Sequence, residues 1–235
     1  MKRSFVTAAI AFACAANLQA APDALITTLV SQAPGLRPNV LRLALDAASA
    51  AAERGLVARR NLLTVIDYSL PSSEQRLFVF DLAKQKLLFR ELVAHGKSSG
   101  GNIANFFSNE PGSEATSLGL FVTEDTYNGH NGYSLRLKGL EAGINDMASE
   151  RAIVLHGAYY VSREAVKVLG RLGRSWGCPA VRSEIAPELI DTIRGGTAIF
   201  AYYPEQSWLS NSVYLRQALA RSGRKASSNT LTSSK

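Results

Sequence analysis

The sequence predicts a mainly β domain, a β-rich sandwich or barrel-like fold with a short N-terminal helical appendage. Seven short runs rich in Val, Ile, Leu, Phe and Tyr recur between residues 62 and 203, polar turns separate them, and the longest helical pattern lies before residue 60. At 235 residues and 46% hydrophobic content, the chain suffices for one packed domain and is short for two.

The elements follow in order. Met1-Lys-Arg3, the apolar run Phe5 to Ala16 and the small-residue exit Leu18-Gln-Ala20 are the three parts of a secretory signal. Residues 1–20 are therefore expected to leave on export to the cell envelope, the periplasm being the expected compartment. Cys14 lies inside that signal, and the flanking Phe12 and Ala15-Ala-Asn-Leu-Gln-Ala20 fit ordinary cleavage better than lipid attachment. No other stretch is long enough to span a bilayer. The formal charge of +7 falls by two with Lys2 and Arg3. The remaining basic residues are scattered, which argues against nucleic acid and for attraction to anionic envelope polymers.

Residues 21–60 read as a helical appendage. One helix runs near Asp23 to Ser31, and a second opens at Pro38, a residue suited to a first helical turn, and stops at Gly55. Residues 61–204 are expected to form the main, strand-rich domain, the one that would carry any catalytic site. Its strands are Leu62 to Tyr68, Arg76 to Asp81, Lys86 to Ala94, Ser117 to Thr123, Tyr133 to Leu137, Ala152 to His156 and Gly196 to Tyr203, with helices at Arg163 to Leu169 and Glu184 to Arg194. Residues 205–235 are expected to form a polar C-terminal extension, largely disordered from 220.

The stretch Arg171-Leu-Gly-Arg-Ser-Trp-Gly-Cys-Pro-Ala-Val-Arg182 carries the chemistry. It holds Cys178 among residues that let a backbone turn sharply, and with the signal removed Cys178 is the sole thiol. A lone thiol of an exported chain is inert, intermolecular or reactive. Upstream, the apolar run from Ala152 delivers His156 where a loop is expected to begin, and thiol plus imidazole are the minimum parts of a cysteine nucleophile. His95, after a strand, is a second candidate for the cleft; His130, in Asn128-Gly-His-Asn-Gly132, belongs to an exposed turn. Gly177 and Cys178 N–H groups are expected to stabilise an oxyanion, and Ser175 to hydrogen-bond within the loop. Arg174 and Arg182 are candidates for holding a substrate carboxylate, while Trp176 and Tyr127 are candidates for a pocket wall.

His156-Gly157 followed by Ser175-Trp-Gly-Cys178 resembles the catalytic motif of the L,D-transpeptidases of bacterial peptidoglycan, the YkuD-like domain family. The resemblance extends from Leu62 to Pro204, through Ser117-Leu-Gly-Leu120, Tyr133-Ser-Leu-Arg-Leu137 and Gly170-Arg-Leu-Gly-Arg-Ser-Trp-Gly-Cys-Pro-Ala180. It implies a β-rich fold, Cys178 as nucleophile, His156 as general base oriented by a backbone carbonyl or polar group, and no metal or organic cofactor. The implied partner is the peptidoglycan stem peptide. Cys178 would form a thioester with a tetrapeptide stem, release D-alanine and pass the acyl group to an amine. Water as acceptor would make the same site an L,D-carboxypeptidase, and a free D-amino acid would make it an exchange enzyme. Two positions differ from familiar members: Trp176 stands where they have a second histidine, and Ala180 where they have an arginine, a role Arg182 is expected to take. Trp176 also motivates a rival reading, a catalytically silent wall-binding protein of the same fold.

Overall fold

The computed structural model describes residues 20–215. Eight strands form one sheet: β1 Leu62–Asp67, β2 Gln75–Asp81, β3 Lys86–Leu92, β4 Gly119–Gly129, β5 Gly132–Gly139, β6 Val154–Ala158, β7 Ala180–Arg182 and β8 Ala198–Tyr202. Their spatial order is β3-β2-β1-β8-β4-β5-β6-β7. Just past β3, Ala94 bridges to Ala180 of β7, its N–H donating to the Ala180 carbonyl at 2.8 Å. The sheet is thereby nearly closed, which removes most of the unpaired edge that an open sheet would expose. Barrel, rather than sandwich, is the architecture.

The helices cover this barrel. In α1, Ala20–Gln32, and α2, Pro38–Glu53, the buried residues Leu29, Val40, Leu41, Ala44 and Ala47 join the same core as β1, β2 and β8. Their cover explains why every residue of β1 is buried, on both faces of the strand. α3, Arg163–Leu169, is capped by the Ser162 hydroxyl accepting from Ala165 N–H at 3.0 Å and ends on Gly170 at φ 69°. α4, Ala186–Ile193, buries Ala186, Leu189, Ile190 and Ile193 on one face.

Several elements differ from the sequence expectation for physical reasons. The eighth strand, β7, has only three residues and hence no readable period; it exists because it pairs in parallel with His156 to Ala158 of β6 and bridges Ala94. That pairing also carries β6 on to Ala158, so His156 lies inside a strand rather than at a loop mouth. β4 and β5 are longer than expected because their polar outer halves continue as a hairpin, turning at exposed His130 and Asn131 between the paired Gly129 and Gly132. The extension after Pro204 forms α5, Gln206–Asn211, whose Trp208 is buried and donates its indole N–H to Glu141 Oε2 at 3.2 Å. The expected leader, with Cys14, and the expected disordered tail from 220 lie outside the described residues.

Candidate functional site

Three segments meet where the barrel closes: the start of β6, the loop Arg174 to Pro179 leading into β7, and the continuation of β3 through His95 to Ser99. Register brings them together. His156 lies opposite Ala180, and its N–H donates to the Pro179 carbonyl at 3.4 Å, so the loop holding Cys178 is stitched to the strand holding His156. On the other side, Ser175 N–H donates to the His95 carbonyl at 3.0 Å and Lys97 N–H to the Ser175 carbonyl at 2.8 Å.

Cys178 is half-buried and unbridged. Its Sγ accepts from Val154 N–H at 3.5 Å and directs its proton to the Ala152 carbonyl at 3.7 Å. Ala152 holds φ 52°, one of three non-glycine residues at positive φ among those described. Such backbone is costly for an L-residue and gathers at functional sites. Burial pushes the thiol pKa above its ordinary value, partly offset by the Val154 N–H and the charge of Arg151. The resting form is therefore the neutral thiol.

His156 is only 4% exposed. Its Nδ1 lies 2.9 Å from the Gly157 carbonyl; since a carbonyl can only accept, Nδ1 carries the proton and Nε2 the lone pair. Burial lowers the imidazole pKa, against the opposing pull of that same carbonyl, so the ring is neutral. Gly157 also explains the close fit of α4, because a Cβ there would meet Ala186 Cβ at 3.0 Å and Ser183 Cα at 3.1 Å.

The loop around the cysteine is held from within. Ser175 Oγ–H donates to the Cys178 carbonyl at 2.6 Å while accepting from Gly177 N–H at 3.1 Å. Gly177 adopts φ 122°, and a Cβ would lie 2.9 Å from the Ala115 carbonyl oxygen. Gly96 packs backbone to backbone against it, a Cβ there falling 2.9 Å from Gly177 Cα. Thr116 Oγ1 joins the two, accepting from Gly96 N–H at 2.9 Å and donating to the Gly177 carbonyl at 3.1 Å. The expectation that Gly177 N–H serves an oxyanion is corrected here: that donor is spent on Ser175, and glycine is required at 177 by conformation and space.

Other sequence candidates are placed elsewhere or engaged. Arg182 makes a forked contact to Glu91, at 2.9 and 2.7 Å, so its guanidinium is not presented to a substrate carboxylate. His95 is 1% exposed; Nδ1 accepts from Arg76 at 2.7 Å, and Nε2–H faces the Gly100 carbonyl at 3.4 Å. It belongs to a buried cluster with Arg76 and Tyr68, whose ring lies 5.0 Å below the guanidinium, rather than to a cleft. Arg174 is half-buried and donates to the Gly100 carbonyl at 2.9 Å, bracing the turn beside the loop. Tyr127 stands in the row Tyr127, Ser134, His156 across β4, β5 and β6, its ring under Arg136 at 4.2 Å. Trp176 is 75% exposed, directly before Gly177.

Arg151 is the site residue the sequence reading missed. Its guanidinium donates to the carbonyls of Ser108 and Ala115, both at 2.6 Å, and to the hydroxyls of Ser113 and Ser117. It thus fastens the 108–117 segment beneath the cysteine loop, and its charge is felt at Cys178. A basic residue just ahead of a strand that carries a candidate base is the only signal the sequence offered. The Val154 N–H that faces the thiol has no sequence signature at all, since any residue but proline would supply it.

Comparison with known proteins adds an independent finding. An L,D-transpeptidase from Mycobacterium smegmatis has 14% identity and a TM-score of 0.38 over 61% of this chain and 59% of its own. L,D-transpeptidase 1 from Mycobacterium tuberculosis has 14% identity and a TM-score of 0.33 over 61% and 62%. An L,D-transpeptidase from Stackebrandtia nassauensis has 15% identity and a TM-score of 0.38 over 80% and 93%. The chain thus spans about three fifths of the mycobacterial structures, and no curated protein matches its sequence. The family model of the L,D-transpeptidase catalytic domain matches residues 32–202, from the end of α1 through β8, and this chain belongs to that family.

Proposed function

We propose that this protein is an exported peptidoglycan L,D-transpeptidase working through a Cys178 thioester. The observation that carries the proposal is the pinned imidazole: Nδ1–H held by the Gly157 carbonyl leaves Nε2 as the base, on the strand whose Val154 N–H faces the Cys178 thiol. With both groups neutral at rest, the thiol proton moves to His156 as Sγ attacks the carbonyl carbon of the L,D bond in a tetrapeptide stem. The C–N bond breaks, the leaving D-alanine amine takes the proton from His156, and a thioester remains. An acceptor amine attacks it, gives its proton to His156, and the new amide releases the thiol. The Cys178 N–H donates to the oxyanion in both halves.

Arg151 and Ser175 position the nucleophile, one through the segment below and one within the loop. The N-terminal residues Met1 to Ala20 direct export in this reading, and among the described residues no helix is long and apolar enough to cross a membrane. Tetrapeptide-containing peptidoglycan incubated with the protein, beside Cys178→Ala, tests the reading by mass spectrometry of muropeptides. Cross-linked dimers dependent on Cys178 are expected. Stems shortened by D-alanine without dimers would assign water as acceptor, and an unchanged profile from thiol-reactive protein would overturn tetrapeptide chemistry.

A further inference from the structure

Beside the nucleophile lies a charge pair that stability does not explain. Lys97 Nζ meets Glu114 Oε2 at 2.7 Å, with the two side chains 45% and 34% exposed. The same ammonium stands 5.4 Å from the centre of the Trp176 ring. An ion pair this exposed contributes little to folding. Glu114 nevertheless holds φ 54°, a conformation that costs an L-residue more than such a pair returns and that glycine would adopt freely. Its backbone has a structural duty, since its carbonyl accepts from Ser98 N–H at 3.3 Å, but glycine would perform that duty equally well. The carboxylate is what glutamate adds and glycine lacks.

The pair is tied to the nucleophile by backbone contact. A Cβ on Gly96, the neighbour of Lys97, would lie 2.4 Å from the Glu114 carbonyl oxygen and 3.0 Å from Gly177 N. The carbonyl of Ala115, the neighbour of Glu114, is the oxygen a Cβ on Gly177 would strike. Trp176, Lys97 and Glu114 therefore flank the residue preceding Cys178. Opposite charges side by side cancel at a distance and offer little to a ligand of one sign, which meets one attraction and one repulsion. A ligand with an ammonium and a carboxylate on one carbon meets two attractions, with the open Trp176 face beside it.

We propose that Lys97, Glu114 and Trp176 form a subsite for an α-ammonium carboxylate, the zwitterionic head of an amino acid, with Lys97 taking the carboxylate and Glu114 the ammonium. This deepens the transpeptidase reading and rests on it only for the reason such a ligand would be there. The head is borne either by a free amino acid or by a diamino-acid side chain of a stem peptide.

The test is direct binding to the Cys178→Ala protein, where no turnover occurs, followed by the emission of Trp176, the exposed member of two tryptophans. The probes are D-alanine, N-acetyl-D-alanine, D-alaninamide and a short peptide whose side chain ends in an α-ammonium carboxylate. A zwitterion is expected to bind at least about tenfold more tightly than either blocked form. Binding of D-alanine assigns the free amino acid, and binding of the peptide alone assigns the stem. Lys97→Met and Glu114→Gly are each expected to weaken it about tenfold. Glu114→Gly suits the backbone and should melt no lower than the parent, which keeps loss of binding separate from loss of fold. Equal affinity for blocked and free forms, or unchanged binding by folded Glu114→Gly, would overturn the subsite. Cross-linked muropeptides without zwitterion binding would refute the subsite alone, and binding without cross-links would refute the transpeptidase reading alone.

Discussion

Acid should destabilise this protein through His95, by an amount the structure specifies. The ring is enclosed, accepts a hydrogen bond from the permanently charged Arg76, and lies near the Arg174 guanidinium, which bonds the same Gly100 carbonyl. Protonation would set a third positive charge between them and turn the Arg76 acceptor into a donor. Burial first, and Arg76 next, lower its pKa from 6.5 to about 4. Because the folded value lies below the unfolded one, the contribution is fully present above pH 6.5 and is lost as pH falls toward about 4. Linkage between these two values removes about 2 kcal/mol by pH 5 and about 3 kcal/mol by pH 4. His95→Asn keeps an acceptor for Arg76 without titrating. Urea unfolding of both proteins from pH 7.5 to 4 isolates the residue, since every other titration occurs in both and cancels in the difference. The wild type should lose about 3 kcal/mol more than His95→Asn across that range. Parallel profiles would refute the enclosed neutral ring.

The remaining predictions concern the cysteine loop. Gly177→Ala meets both a positive φ and the Ala115 carbonyl and should cost about 2–4 kcal/mol, a fall of roughly 5–15 °C in Tm. Gly112→Ala, at φ 73° with nothing within 4 Å, should cost only about 1 kcal/mol, so equal melting of the two variants would remove the steric argument. Alkylation of Cys178 should keep rising with pH beyond the point where a free cysteine levels off, because its pKa is raised; a plateau near neutrality would instead indicate a preformed thiolate. Arg151→Met releases the 108–117 segment and removes a favourable charge, and should shift that alkylation profile to higher pH. The same variant should lower kcat/KM about tenfold or more. Arg151→Lys should recover the profile more fully than the rate if both charge and anchoring matter.

The sequence alone determined the β-rich class, most strand positions and the two N-terminal helices, and it singled out Cys178 and His156 as the candidate chemical pair. These are legible because strand composition, Pro and Gly punctuation and reactive side chains are local properties. The tertiary structure decided what depends on neighbours distant in the chain. β7 exists because β6 and Ala94 pair with it, and Trp208, Tyr214 and Leu215 of the C-terminal extension are buried because the core receives them, Glu141 accepting from the Trp208 indole. Charge shows the same division. Arg182 and His95 look available in one dimension, yet Glu91 engages the first and Arg76 encloses the second, while Arg151, inconspicuous in the sequence, reaches four partners beneath the cysteine. A side chain's type is written in the sequence, but its protonation state and free hydrogen-bonding capacity belong to its surroundings, and only the nearly closed barrel assembles those.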